Sequence, residues 1–472
     1  MNVGRPATRS KLNWRFPPTF WFANIAELFE RAAYYGMFIA LTLYLTSRVG
    51  FTDVETGYVI AFFSCFLYLM PAFLGPLSDK IGFRRALILA FALLMTGYGL
   101  LGASQHKVVV IFALAIVVLG GAIVRPVISG TVAKCSDAEH RARAFSIFYF
   151  MVNIGSFSGK TVAPLIRTGV EIPGIGRLEL GLDYINFYAS AMALAALILV
   201  VLTYRNPDTE GTGKSFTEVC RAFGRVLLNV RFVCLIVIVA GFWLIQGQLY
   251  ASMPKYILRL MGESAKPEWL ANVNPLVVVL CVVPITHLVR RLKPENSMAI
   301  ALAIIPFSAL VVAMSPALAR MTGESVSFGA FSLHPITVMV IVGIGLQGLA
   351  ECFLSPKFYE YASKQAPRGE EGLYMGFQNI HTSIAWLVGF IVSGHLLDAY
   401  CPDPQKLQAT DPTAYAQWQA AIASGAAMPE AYASAHHIWF VFAGIGFGAL
   451  LALLAFKYVT DRIDRRRAAA AG

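Results

Sequence analysis

The sequence predicts an all-α membrane protein with about twelve transmembrane helices. Composition points there first: of 472 residues, 57% are hydrophobic and only 14% charged, where soluble domains carry about 25% charged residues. Mean hydropathy is +0.62. Apolar runs of about 20 residues, the length of a hydrocarbon crossing, recur along the whole chain. Finally, the basic residues gather in alternate loops, as cytoplasmic loops do. Alternating strand patterns are absent, which argues against a membrane β-barrel.

The runs place spans near 18–47, 55–78, 84–104, 108–133, 141–168, 183–204, 230–260, 267–290, 296–317, 333–364, 370–399 and 436–461. The first basic group is Arg5, Arg9, Lys11 and Arg15, before the first span. Every second loop repeats it, with Lys80, Arg84 and Arg85, then Lys134, Arg141 and Arg143, then Arg205, Lys214, Arg221 and Arg225. Arg290, Arg291 and Lys293 follow, then Lys364 and Arg368, and the tail ends in Arg462, Arg465, Arg466 and Arg467. An even number of spans with both termini cytoplasmic satisfies this pattern, in a multi-pass protein of a plasma membrane, a bacterial inner membrane by its short tails and compact loops. The net charge of +11 is thereby assigned to membrane orientation, not to nucleic acid. The seven cysteines are scattered without a C-x-x-C and read as packing residues. The first apolar run is longer than a signal sequence and charged, so it reads as a span.

Residues 205–229, polar and then amphipathic, divide the spans six and six, giving bundles at 1–204 and 230–472. An extracytoplasmic segment at 400–435, rich in Ala, Pro, Gln and Tyr, has room for short helices. Two six-helix halves joined by a cytoplasmic linker resemble the plan of the major facilitator superfamily, whose substrate sites lie near the midplane between the halves. The loop after the second span, "GPLSDKIGFRR", resembles that superfamily's signature at Gly75, Asp79, Lys80, Gly82, Arg84 and Arg85. Its glycines allow close helix approach and a tight turn, and Asp79 is placed to cap a helix and pair with the arginines.

The stretch "NIAELFERAAYYGM" puts Glu27, Glu30 and Arg31 inside the first apolar run. On a helix these three and Tyr34 share one face, with Glu27 and Arg31 in the favoured i,i+4 order. A lone charge at the bilayer centre costs about 2.5–3.5 kcal/mol, so three on one face imply a polar cavity and partners elsewhere. Two acids against one base require a further cation or a proton. The other candidates within spans are Arg125, Lys160, Glu351 and Lys357. The alternative is a static ion network that fixes helix register, which commonly costs stability.

"ELFERAAYYGM" resembles the E-x-x-E-R-F-x-Y-Y-G of the proton-dependent oligopeptide transporters, with Ala32 at the aromatic position. "FSIFYFMVNIGSF", "GFWLIQGQ", "NVNPLVVVLCVVPI" and "ECFLSPKFYEYASKQAP" are similar to that family's fifth-, seventh-, eighth- and tenth-helix motifs, in order. The resemblance implies alternating-access uptake of di- and tripeptides with protons. It places Glu27, Glu30, Arg31 and Arg125 in a switchable, protonation-linked ion network. It also places Tyr34, Tyr68, Asn153, Asn274, Trp243 and Arg125 around the peptide, with Glu351 at its amino group. Arg125 departs from the usual lysine, keeping charge and gaining a bidentate grip on carboxylates.

Two further departures are paired. Phe38 stands where the family often has an arginine, and Gly247 where it usually has a glutamate; losing both avoids a stranded charge. They favour drift in the solute, so another organic anion, an amino-acid derivative or a drug is the rival to a peptide, and a non-transporting sensor a more distant one. Lys160 shares a helical face with Tyr149, Asn153 and Ser156. Two readings stand for it: contact with an anionic substrate group, or snorkelling to the external interface. The expected partners are a small peptide or peptide-like solute, protons and the lipid bilayer. No Walker loop, nucleophile elbow or metal-ligand cluster appears, so neither an enzyme nor a cofactor is expected. His436 and His437 lack further ligands nearby.

Overall fold

The computed structural model describes residues 16–471, apart from 138–139, 173–175, 179, 207–215, 324, 366–376 and 378. The basic residues before Phe16, together with Lys214, Arg368 and the side chain of Asp79, lie outside the described set.

The first half contains α1 (Pro18–Ser47), α2 (Asp53–Leu69) with α3 (Pro71–Ile81), α4 (Phe83–Ala103), α5 (Lys107–Lys134), α6 (Arg141–Thr168) and α7 (Leu182–Thr203). Helix α8 (Phe216–Leu227) leads to the second half: α9 (Val230–Gly247) with α10 (Ser252–Met261), α11 (Pro267–Leu270) with α12 (Val273–Leu288), and α13 (Pro294–Ala313) with α14 (Ser315–Thr322). Then come α15 (Pro335–Gln365), α16 (Ile380–Tyr400), α17 (Pro404–Thr410), α18 (Pro412–Ser424) and α19 (His437–Ala471). Among the described residues nine spans are long and apolar enough to cross a bilayer, and α2 with α3, bent by 42°, makes a tenth. Helices α1 and α6, of 30 and 28 residues, complete the expected twelve. Each has ample length; the charged and polar groups it carries lower its apolarity.

The differences from the expected spans have local causes. Pro71, at the first position of α3, ends the hydrogen-bond run of α2. The seventh span breaks after Gly247 and resumes at Ser252. Two small antiparallel hairpins, Val170–Ile172 with Gly176–Leu178 and Val326–Ser327 with Ser332–Leu333, were not expected. The segment 400–435 holds α17 and α18, each started by an aspartate whose side chain accepts from the helix backbone.

Helix α1 packs on α6 and α7, and α4 on α5 and α7; in the second half α13 packs on α15 and α19, and α9 on α16. The start of α9 and the end of α19 share one face of the bundle, where Arg231 pairs with Asp464 at 2.6 Å. On this near face Gly82, at φ +85°, turns α3 into α4. The Arg84 amide donates to Asn206 Oδ1 at 2.8 Å, so the start of α4 is capped from residue 206.

At the opposite, far face the halves are tied together. Asp53 at the start of α2 accepts from Lys255 Nζ at 2.6 Å and from Arg259 at 2.8 Å. Arg259 also reaches Asp403, at 2.9 Å, and the Trp418 indole of α18 donates to its carbonyl at 2.8 Å. The segment 400–435 is therefore built onto this cluster. Beside it Arg167 at the end of α6 pairs with Glu268 at 2.6 Å. Helices α2 and α16 cross backbone to backbone: a Cβ on Gly57 would lie 2.6 Å from the Phe390 carbonyl and 3.2 Å from Gly394 Cα. On the near face Phe223 of α8 bridges the halves, its ring 6.1 Å from Phe73 and 4.8 Å from Phe377.

Candidate functional site

Close helix approach puts the charged stretch of α1 beside α6. A Cβ on Gly155 would sit 2.6 Å from both Arg31 Cβ and the Leu28 carbonyl, and one on Gly159 would overlap the Ala32 carbonyl. Only glycine permits this contact. Glu27, Glu30 and Arg31 are buried at 2%, 2% and 4% exposure. Arg31 Nε lies 3.0 Å from Glu27 Oε1, and another guanidinium nitrogen 2.5 Å from Glu30 Oε2. One guanidinium thus serves two acids, and among the described residues Glu27 Oε2 has no hydrogen-bond partner. Arg125 makes no ion pair with either acid; its guanidinium stands 4.5 Å from the Tyr68 ring centre and 5.8 Å from that of Tyr34.

A cavity of about 290 Å³ lies between the halves, at the low end of the ~300–1,000 Å³ usual for small-molecule sites. Its first-half wall includes Tyr35, Tyr68 and Arg125, and Tyr149, Asn153, Ser156 and Lys160 in a line down α6. Its second-half wall includes Trp243, Gln246, Tyr250, Asn274, Glu351 and Trp386. The two walls differ in charge. Arg125 and Lys160 face the cavity from one side and Glu351 from the other, held by the Gln246 amide at 2.6 Å and that of Asn274 at 3.5 Å. Tyr149 and Tyr359, toward the near face, are about half exposed, while Lys160 and Trp386 are buried. The cavity is thus open toward the near face and sealed toward the far one.

The structure brings Tyr68, Arg125, Asn153, Lys160, Trp243, Asn274 and Glu351 onto this cavity. Tyr34 is not on its wall: it is 2% exposed and packed behind Arg125, and Tyr35 lines the cavity in its place. A helix turns about 100° per residue, so the face shared with Glu27, Glu30 and Arg31 looks past the cavity and the next residue looks into it. Lys160 does not snorkel: it is 2% exposed, its ammonium 5.1 Å from the Tyr35 ring centre and 5.6 Å from that of Tyr250. Gly75, Gly82, Arg84 and Arg85 stand apart, at the near face, where a Cβ on Gly75 would press on Pro126 of α5 at 3.2 Å. Among the described residues no cluster of His, Cys, Asp and Glu is arranged to hold a metal ion.

Sequence reasoning missed Gln246, Tyr250 and Trp386. Gln246 precedes Gly247, and Trp386 packs against that glycine. A Cβ on Gly247 would lie 3.1 Å from the indole Nε1. The indole stacks on Phe38, which lies against Tyr34 on its other face, at 5.1 Å and 14°. Aromatic packing therefore fills the space between Phe38 and Gly247.

The comparisons with known proteins agree with this architecture. The chain is 25% identical over 261 residues to dipeptide and tripeptide permease A of Citrobacter koseri, covering 54% of this chain and 50% of that one. It is 30% identical over 168 residues to the protein of the same name from Proteus mirabilis, 34% of each chain. It spans at most about half the length of these curated relatives. A crystal structure of a peptide transporter POT in complex with sulfate superposes with a TM-score of 0.68, at 19% identity over 95% of both chains. A structure from work on substrate recognition in proton dependent oligopeptide transporters gives 0.69, at 18% identity over 95% of this chain and 99% of that one. At such identities the likeness is one of fold. The profile of the Major Facilitator Superfamily matches residues 23–323, from the charged stretch of α1 through α14, and the chain belongs to that superfamily.

Proposed function

We propose that the protein is a secondary active transporter, not an enzyme, which takes up di- or tripeptides or peptide-like solutes together with protons by alternating access. The observation that carries this reading is the opposed charge of the cavity walls. Arg125 and Glu351 face each other across a space of about 290 Å³, as the carboxylate and ammonium of a small zwitterion require. The relatives named as dipeptide and tripeptide permeases, and the solved peptide transporters, support the same reading.

The two six-helix halves, 1–204 and 230–472, rock about this cavity, with the linker 205–229 and both termini on the cytoplasmic side of a plasma membrane, in a bacterium the inner one. The arrangement described is then inward-open, with Asp53, Arg167 and their partners closing the outer end. Coupling falls to Glu27, Glu30 and Arg31. Two acids on one buried base accommodate a proton, and a proton gained from outside releases Arg31, or Arg125 in the outward-open state, toward the solute carboxylate. A proton lost to the cytoplasm resets the pair. Only such a difference between states allows a gradient to drive the cycle.

A second reading has one observation in its favour: Phe38 stacks on Trp386 against Gly247, where the resemblance to the oligopeptide transporters implies an arginine and a glutamate, which suits a solute other than an ordinary peptide. The test is uptake into proteoliposomes with an inward proton gradient and a trapped pH dye, using dialanine, trialanine and free alanine. Acidification with the peptides alone is the expected result. Acidification with none of them, in protein that is folded and inserted, overturns the peptide reading in favour of another organic anion, an amino-acid derivative or a drug.

A further inference from the structure

Two cations face the cavity, and among the described residues neither has a carboxylate within ion-pair distance. Lys160, 2% exposed, has the rings of Tyr35 and Tyr250 beside its ammonium, at 5.1 and 5.6 Å. Arg125 rests on Tyr68 and Tyr34, at 4.5 and 5.8 Å. Ring faces return part of what a desolvated cation loses, and less than a carboxylate returns. Opposite stands one acid, Glu351, already bonded to Gln246. A neutral dipeptide brings one ammonium and one carboxylate. Its ammonium satisfies Glu351, its carboxylate satisfies one cation, and the other cation is left without a carboxylate in contact.

The two cations line the same wall of the cavity. Tyr34 and Tyr35, the rings beneath Arg125 and Lys160, lie in edge contact with centres 5.1 Å apart. Two anionic groups on one small solute can reach both. Resting on the peptide reading above, we propose that the preferred solute is an acidic peptide, with one ammonium and two anionic groups. Its ammonium lies at Glu351, one anion at Arg125 and the second at Lys160. Lys160 is then a specificity-determining residue that selects for the extra acid.

The test is the affinity of the full-length protein in detergent for alanyl-alanine, alanyl-glutamate and alanyl-lysine, by calorimetry. A charge-assisted contact in a buried site predicts alanyl-glutamate binding about ten-fold or more tighter than alanyl-alanine, with alanyl-lysine weakest. Lys160→Gln brings the first two within about two-fold of each other, and Lys160→Arg keeps the preference. A cooperative melt of each variant reports folding. Equal affinities in the native protein, or a preference that survives Lys160→Gln, overturn the proposal and leave the peptide reading standing. Absence of binding by all three dipeptides overturns both.

Discussion

The ring of Phe38 on α1 lies on the indole of Trp386 on α16, centres 5.4 Å apart and planes within 11°. This stack joins the two halves above the cavity, and Gly247 makes room for it. A side chain at 247 meets the indole, and a carboxylate there enters an aromatic site walled by Trp386 and Phe390. Gly247→Glu is therefore expected to cost at least about 2 kcal/mol, read from thermal melts in detergent. Adding Phe38→Arg supplies a counter-charge and recovers about 1 kcal/mol or more relative to the sum of the single losses. Strict additivity would show that displaced rings, not charge balance, set the cost.

Asp53 pairs with two buried cations, Lys255 and Arg259, across the far face. Asp53→Asn leaves both under-paired, a change worth about 3–5 kcal/mol in buried pairs. Part of that loss falls on the closed arrangement alone, so the halves separate at this end. Spin labels at the exposed positions Gln105→Cys and Met321→Cys, with the exposed native cysteines replaced, are expected to report a longer distance in Asp53→Asn. An unchanged distribution would show that the crossing of Gly57 and Gly394 holds the end shut without the ion cluster.

At Gly159 the backbones of α1 and α6 are in contact. Gly159→Ala forces them apart and shifts the neighbouring Lys160. Overpacking of this kind costs about 1–3 kcal/mol, so the expected result is a lower melting temperature in detergent. A melt equal to that of the native protein would mean that the two helices slide past one another at little cost.

Glu27 shares Arg31 with Glu30, and among the described residues one of its oxygens has no hydrogen-bond partner. Glu27→Gln removes a protonation site while preserving the shape of the side chain. Gradient-driven uptake in proteoliposomes is expected to fall to the level of protein-free vesicles, while exchange of labelled for unlabelled solute, which needs no net proton movement, persists. Retention of full gradient-driven uptake would assign coupling elsewhere.

Much of this protein was legible from local rules. A bilayer demands long apolar runs, so composition and loop charge announced the spans. Helical periodicity grouped Glu27, Glu30 and Arg31, and it lined Tyr149, Asn153, Ser156 and Lys160 along one side of α6, because i,i+3 and i,i+4 geometry depends on neighbouring residues alone. That neither Phe38 nor Gly247 carries a charge was visible; the Trp386 ring that touches both was not. Tertiary structure decided which faces meet. It turned Tyr35 to the cavity and Tyr34 behind Arg125, joined Gln246 to Glu351, filled the space at Gly247 with Trp386, and gathered Asp53, Arg259 and Asp403 into one cluster. These contacts link residues far apart in the chain. They depend on how closely backbones approach and how helices are rotated about their axes, quantities set by packing of the whole bundle and carried by no single stretch of sequence.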